Sequence, residues 1–149
     1  MNQFNIVFIF LCATFVLSCD HYDYSESTFS DYIALKDSGI MERGWVPLFI
    51  SPSVTNIHER HNIDTNEVWI KYSYSPSKPS FEMNSCLKID SSQVVYTKNE
   101  PNRWWPRELN TEGSKEGTKC SFLFYQCSER EFIAECPGQA LAYYWRMPQ

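Results

Sequence analysis

The sequence has little positive charge, and this scarcity is the first constraint on its function. Lys and Arg number 13 against 18 Asp and Glu, which gives a net charge of −5. A nucleic-acid-binding surface needs clustered cations to displace counterions from phosphates, so we expect no nucleic acid among the partners of this protein. The chain also has only five glycines and no period in its eight prolines, which excludes collagen-like and low-complexity architectures.

Common catalytic motifs are lacking as well. The chain contains no Gly-x-Ser-x-Gly elbow, no phosphate-binding loop and no Cys-x-x-Cys pair, which are signatures of hydrolases, nucleotide-binding proteins and zinc sites. What the chain does have is 16% aromatic and 43% hydrophobic residues over 149 positions, enough for the core of one domain. We therefore expect a folded protein that is not an enzyme and needs no cofactor.

The N-terminus has the features of an export signal, except that it lacks Lys and Arg. Residues 1–18 contain no charged side chain, and Ile6–Leu17 is apolar apart from Thr14. A membrane-spanning helix needs about 20 apolar residues, so this run is too short to span and matches the hydrophobic region of a signal peptide. We expect residues 1–18 to be a signal peptide.

The segment that follows resembles a lipidation site. Val16-Leu17-Ser18-Cys19-Asp20 resembles a bacterial lipobox, in which the Cys after a small residue is acylated on sulfur and nitrogen. Two or three acyl chains, palmitate among them, anchor a protein stably. Residues 19–26 are polar and acidic and are predicted to form a tether, and Asp20 resembles the signal that retains lipoproteins in the inner membrane. We therefore expect a domain that faces the periplasm and is held at the membrane by a lipid anchor on Cys19. The alternative is an ordinary signal peptide with an incidental Cys19.

The remaining cysteines predict two disulfides. Four follow Cys19: Cys86, Cys120, Cys127 and Cys136. An even number in an oxidising compartment favours pairing. Cys120 and Cys127 fall in one predicted strand, too far apart and on opposite faces, whereas a turn centred on residue 128 places Cys120 opposite Cys136. We therefore expect the pairs Cys120–Cys136 and Cys86–Cys127.

The mature chain reads as one α+β domain over residues 27–149. Ser27 or Thr28 can cap an N-terminal helix that ends at Gly39, and Ser51-Pro52 can start a second, short helix. Strands are predicted over Val68–Ser75, Leu87–Ile89, Gln93–Thr97, 120–127, 131–136 and 139–146, and a loop over Glu112–Lys119. The expected fold is an N-terminal helix followed by a mainly antiparallel sheet with a C-terminal meander, stapled by the disulfides.

The second predicted helix carries two histidines. His58 and His61 are three residues apart, a helical spacing that lets two imidazoles approach one metal ion, with Asp64 or Glu67 as a carboxylate ligand. His-Glu-Arg-His is one residue shorter than the zincin motif. The alternative is that the histidines pack on the domain with hydrogen-bonded rings. We expect no metal, and a metal-assisted hydrolase stays the second hypothesis.

Arg103-Trp104-Trp105-Pro106-Arg107 is the clearest candidate for a binding surface. Trp and Arg are enriched at the energetic centres of protein interfaces. The alternative is that both indoles cover the core with arginines stacked on them. Adjacent residues of an extended segment point in opposite directions, so we predict that one Trp binds a protein partner while the other packs in the core.

Several short motifs resemble the head-domain family named after YbbD. They are Ser38-Gly39-Ile40, Arg43-Gly44-Trp45-Val46-Pro47, Ile57–Asp64, Trp104-Trp105-Pro106 and Tyr143-Tyr144-Trp145-Arg146. The resemblance would cover residues 38–146. It implies a small bacterial exported protein or lipoprotein and no particular activity or ligand. Members lie near toxin genes in some genomes, so the resemblance makes an immunity protein one expectation; a structural protein of the envelope is another.

Overall fold

The computed structural model describes residues 24–97, 103–110 and 120–149. The predicted signal peptide, Cys19 with its lipid, and the predicted loop at 112–119 lie outside the described residues. Within the part that is described, no helix is both long enough and apolar enough to cross a membrane. The first strand begins at Tyr24, so residues 24–26 belong to the sheet and not to a tether.

The described residues form one seven-stranded sheet in which every neighbouring pair is antiparallel. The strands are β1 (Tyr24–Asp31), β2 (Thr55–Asn62), β3 (Val68–Ser73), β4 (Leu87–Ile89), β5 (Leu123–Ser128), β6 (Glu131–Cys136) and β7 (Leu141–Arg146). Helix α1 (Tyr32–Asp37) follows β1 directly. The 3-10 turns are Met83–Ser85, Ser91–Gln93, Arg107–Leu109 and Pro137–Gln139.

The strand order is β1-β2-β3-β7-β6-β5-β4, which divides the sheet into two meanders. The first three strands form one, the last four form the other, and β3 joins β7 with Trp69 opposite Trp145. The prediction of a mainly antiparallel sheet with a C-terminal meander is confirmed. Because β3 and β7 are neighbours in one sheet, residues of both meanders pack together in each of the two core clusters.

The predicted N-terminal helix is wrong. Residues 27–31 continue β1, and the helix is only six residues long, starting at Tyr32. Asp31 caps it, since its carboxylate accepts a hydrogen bond from the Ala34 N–H at 2.9 Å, and Gly39 follows with φ +71°, the left-handed conformation that ends helices. Pairing along β2 outweighs the weak helical pattern that starts at Thr28.

The second predicted helix is also a strand. Residues 55–62 form β2, which pairs with β1 on one side and β3 on the other. The register shifts between Thr55 and His58, where Asn56 adopts a positive φ of 50°. A central strand obtains backbone hydrogen bonds from both neighbours, so its polar composition does not prevent it from pairing.

The two faces of the sheet pack against different parts of the chain. The first face carries Val68, Ile70 and Tyr72 of β3 and is covered by α1 and residues 38–54. The second face carries Trp69, Phe132 and Trp145 and is covered by the segment with Trp105 and Leu109. Over β1 and β2 the second face is more open: Glu26, Thr28 and Ser30 are exposed there.

The structure contains the disulfides Cys86–Cys127 and Cys120–Cys136, the pairs that the sequence favoured. The geometry behind the second pair differs from the expectation. Strand β5 begins at Leu123, and Leu123 lies opposite Glu135, so in this register Cys120 is not the strand partner of Cys136. The bond instead ties an irregular segment ahead of β5 to the end of β6.

Candidate functional site

Trp104 lies on the open part of the second face. Its indole N–H donates to Glu26 Oε1 of β1 at 3.0 Å, and its ring centroid is 5.9 Å from that of His58 on β2. The side chain is half-buried. A hydrogen bond and a ring contact with two strands hold this indole in one orientation while leaving part of it accessible.

Arg60 extends this arrangement along β2. Its guanidinium carbon lies 4.3 Å from the centroid of the Tyr24 ring, a cation–π contact, and one of its nitrogens lies 3.9 Å from Glu26 Oε2. Both charged side chains are partly exposed, so solvent screens their attraction and the pair contributes little to stability. Its effect is to position Glu26, which in turn accepts the indole hydrogen bond of Trp104.

A row of polar side chains crosses the sheet next to Trp104. His58 lies opposite Thr28 on β1 and opposite Lys71 on β3, so all three side chains share the second face. Thr28 Oγ1 is 3.5 Å from His58 Nδ1. Lys71 has no ion-pair partner among the residues that the structure describes.

Together these side chains form what we call the Trp104 surface: Trp104, Glu26, His58, Arg60 and Lys71. It combines an accessible indole with two permanent cations, one carboxylate and one imidazole, on a protein whose net charge is −5. Trp and Arg are the residue types enriched at the energetic centres of protein interfaces, and the charges of Glu26 and Lys71 suit the polar rim around such a centre. The arrangement has the chemistry of a binding surface.

The other members of the predicted binding motif separate into two environments. Trp105 is only 5% exposed and packs edge-on against Tyr143 and Trp145, in the core of the second face. Arg103 and Arg107 are exposed, the latter at the start of a 3-10 turn. The structure thus places one indole inside and one at the surface, and Trp105 is not available to a partner.

A buried pair on the first face was not predicted. Glu59 is fully buried, and one oxygen, Oε1, lies 2.7 Å from Nδ1 of His61, which is 6% exposed. The two residues are two apart on β2, a spacing that puts both on one side of a strand. The His61 ring stacks on Trp45 at 3.9 Å between centroids, and Gly44, with φ +79°, makes the turn that precedes this Trp.

Burial governs the protonation of both groups. Desolvation, and then the charge of Glu26, raises the pKa of Glu59 to about 8, although Arg43 acts in the opposite direction. Desolvation, reinforced by Arg43, lowers the pKa of His61. Both shifts favour neutral side chains, in which the Glu59 carboxyl donates its proton to the imidazole.

The histidine-based metal site requires a correction. His58 and His61 lie on a strand, where a separation of three residues places side chains on opposite faces: His58 faces Trp104, and His61 faces Trp45. The two rings therefore cannot approach one ion as they would on a helix. Over residues 24–97, 103–110 and 120–149, no group of three or more His, Cys, Asp or Glu side chains is arranged to hold a metal.

Sequence reasoning missed the Glu59–His61 pair because its strand has no apolar alternation. Thr55–Asn62 contains one apolar residue, Ile57. The other buried positions of the alternating strand pattern are occupied by Glu59 and His61, which are polar. The only usable signal was the spacing Ile57, Glu59, His61, which is the spacing of one strand face. Polar residues at such positions are ordinarily read as the solvent side.

In a comparison with known families, residues 23–73 match the family model of the YbbD head domain. The matched region contains β1, α1, β2 and β3, the first meander of the sheet. It includes the motifs at 38–47 and 57–64 but not those at 104–106 and 143–146, so the expected extent of 38–146 is corrected. No curated protein and no solved structure matches the chain.

Proposed function

We propose that this chain is an exported protein, anchored by a lipid on Cys19, whose Trp104 surface binds a protein partner on the periplasmic side of the inner membrane. The lipobox-like segment and the two disulfides support export. The observation that carries the binding role is the position of Trp104, which Glu26 holds at the surface while its neighbour Trp105 lies in the core.

A toxin domain is the partner that we propose, with this chain as its immunity protein. A binding domain anchored on the periplasmic side of the membrane can bind a toxin before the toxin reaches the cytoplasm. The match of residues 23–73 to the YbbD head domain is compatible with this role and does not specify it. An immunity protein requires a toxin encoded beside it, so the product of the neighbouring gene is the partner to test.

The test is a binding measurement between the full-length chain and that gene product. Trp104→Ala should lower the affinity roughly thirtyfold or more, which corresponds to about 2 kcal/mol, because truncating an interface anchor leaves its pocket on the partner empty. Leu48→Ala is the matched control, since Leu48 is a 76% exposed apolar residue in the segment that covers the first face. Equal affinities for the Trp104→Ala variant and the wild-type chain would refute the proposed surface.

A further inference from the structure

A polar cavity of about 310 Å³ opens at one end of the sheet and shares no lining residue with the Trp104 surface. Its volume is within the range of small-molecule sites. The lining residues come from the β2–β3 loop, the β5–β6 hairpin and the end of β7: Asn66, Ser128, Arg130, Glu131 and Arg146. All but one of these side chains donate hydrogen bonds, so the cavity suits a ligand group with several acceptor atoms.

Arg146 is held in the wall of this cavity by two hydrogen bonds. Its Nε–H donates to Glu131 Oε1 at 3.2 Å, and its Nη2–H donates to the Gly44 carbonyl at 2.9 Å. The same Glu131 oxygen accepts the Tyr144 hydroxyl at 2.7 Å, which fixes the carboxylate as well. A guanidinium has five N–H donors, so Arg146 can bind an acceptor in the cavity and keep both of these bonds.

Arg130 adds a second guanidinium from the β5–β6 hairpin. Its Nη1–H donates to the Pro148 carbonyl at 3.2 Å, and its backbone N–H donates to the Ser128 hydroxyl at 3.3 Å. Two guanidiniums against the one carboxylate of Glu131 leave the cavity with a net positive charge, on a protein whose net charge is −5. The planar fork of an Arg side chain matches the oxygens of a phosphate group, which it binds through two parallel hydrogen bonds.

The cavity lies at the end of the sheet where β1 begins. Strands β1 and β3 start at this end, and β2 and β7 finish there, β7 at Arg146. The order β1-β2-β3-β7 separates β1 from β7 by three strand spacings, or roughly 15 Å. Cys19 precedes Tyr24, the first residue of β1, by five residues, which span at most about 18 Å. A lipid on Cys19 therefore keeps this end of the sheet close to the phospholipid headgroups.

We infer that this cavity binds a phosphate group, and that phospholipid headgroups of the membrane around the Cys19 anchor supply it. The phosphate oxygens accept hydrogen bonds from Arg130, Arg146 and the Asn66 amide. The choice of lipid as the source rests on the anchor in the proposed function, whereas phosphate binding itself does not. With this end of the sheet on the membrane, both faces stand upright on the bilayer, and a partner can reach the Trp104 surface from the side.

The test is isothermal titration calorimetry on the full-length chain in dodecyl maltoside micelles, which contain no phosphate. The probe is glycerophosphoethanolamine, a soluble phosphodiester with the headgroup of a phospholipid. Arg130→Gln should lower its affinity about tenfold or more, because a charge-assisted hydrogen bond is lost. Lys78→Gln, the control, removes one positive charge from an exposed residue beyond the other end of β3 and should leave the affinity unchanged. No binding, or equal affinities of the two variants, would overturn the inference.

A second pair of variants changes the charge of the cavity and little of its shape. Asn66 has a positive φ of 59°, a conformation that Asp tolerates as Asn does. Asn66→Asp should weaken binding about fivefold or more, because the added carboxylate repels the phosphate. Asn56→Asp is the matched control, since Asn56 also has a positive φ, 50°, and lies near the start of β2, at the opposite end of the sheet. Undiminished affinity in an Asn66→Asp variant that melts like the wild-type chain would contradict the inference.

Inorganic phosphate, titrated in the same way, separates the two sources of the group. Tighter binding of glycerophosphoethanolamine than of inorganic phosphate would support the headgroup, and binding of inorganic phosphate alone would overturn it as the ligand. These titrations leave Trp104 unchanged and need no lipid on Cys19. Their failure is therefore distinguishable from failure of the proposed function, which the binding measurement with the neighbouring gene product tests.

Discussion

At the scale of single residues, the two adjacent tryptophans differ most in the consequence of their removal. Trp105 packs against Tyr143 and Trp145 in the core, while Trp104 is half-buried at the border of this cluster, in contact with Trp105 and hydrogen-bonded to the exposed Glu26. We expect Trp105→Ala to cost about 3–5 kcal/mol of unfolding free energy, since a large cavity opens in the core. Trp104→Ala should cost about 1 kcal/mol. Denaturant unfolding of both variants measures the difference, and similar losses would contradict the assignment of Trp104 to the surface.

The buried Glu59–His61 pair predicts a characteristic dependence of stability on pH. Because the pKa of Glu59 is raised to about 8 from a usual value of 4.5, the unfolded chain loses this proton first and stability falls as pH rises between those values. The lowered pKa of His61 works oppositely and reduces stability as pH falls below 6.5. Above pH 6.5, of these two residues only Glu59 contributes to the pH dependence of the unfolding free energy.

We therefore expect the unfolding free energy to fall from pH 6.5 to pH 8 by roughly 2 kcal/mol on account of Glu59. The variant Glu59→Gln cannot ionise, so its stability should change much less over this window. Chemical denaturation at several pH values measures both curves. The same slope in the variant and the wild-type chain would assign the dependence to other groups.

At the scale of elements, α1 depends on its N-cap. The Asp31 carboxylate accepts the Ala34 N–H, and this hydrogen bond lowers the pKa of Asp31. Asp31→Ala should lower the melting temperature, while Asp31→Ser, which can still cap, should restore most of the loss. Thermal melts at neutral pH compare the three chains, and a Ser variant no better than Ala would show that the loss has another cause.

The disulfide Cys120–Cys136 staples an irregular segment to β6, whereas Cys86–Cys127 joins the segment ahead of β4 to β5. Removing either bond by paired Cys→Ala substitution should cost roughly 2–5 kcal/mol in a domain of this size. Unfolding of the two double variants in denaturant tests this. No loss from either one would mean that the hydrophobic core alone orders these segments.

At the scale of the whole molecule, the region that matches the YbbD head domain supplies three of the seven strands of the sheet. The matched region ends with β3. In the whole chain, β7 pairs with one edge of this strand and places Trp145 opposite Trp69. We expect an isolated fragment of residues 23–73 to lack a cooperative unfolding transition, because without β7 and the residues of the second core cluster it leaves Trp69 in water and one edge of β3 unpaired. Circular dichroism with thermal melting decides, and a sharp transition would show that residues 23–73 fold alone.

Localisation is also a property of the whole chain. If Cys19 carries the lipid, Cys19→Ser should leave an unprocessed precursor or release a soluble periplasmic form. Fractionation of cells that express either chain, followed by mass spectrometry of residue 19, measures this. An unmodified Cys19 in freely soluble wild-type protein would rule out the anchor.

The sequence by itself determined the features that depend on local pattern or on covalent chemistry. Strong alternation predicted β3, the hairpins of the last three strands follow from short turns, and the even number of cysteines predicted two disulfides. The motif at 103–107 could be recognised from composition, but which Trp is buried depends on the strand that lies beneath each indole.

Only the tertiary structure decided the N-terminal half. Residues 27–31 and 55–62 have weak helical patterns, and they become strands because β3 pairs with β7 and supplies an edge on which β2 and then β1 can assemble. Backbone hydrogen bonds to a neighbouring strand are non-local and outweigh propensities of a few tenths of a kcal/mol per residue. The same pairing separates His58 from His61 and brings Glu59 beside His61, since side chains alternate along a strand and stack along a helix.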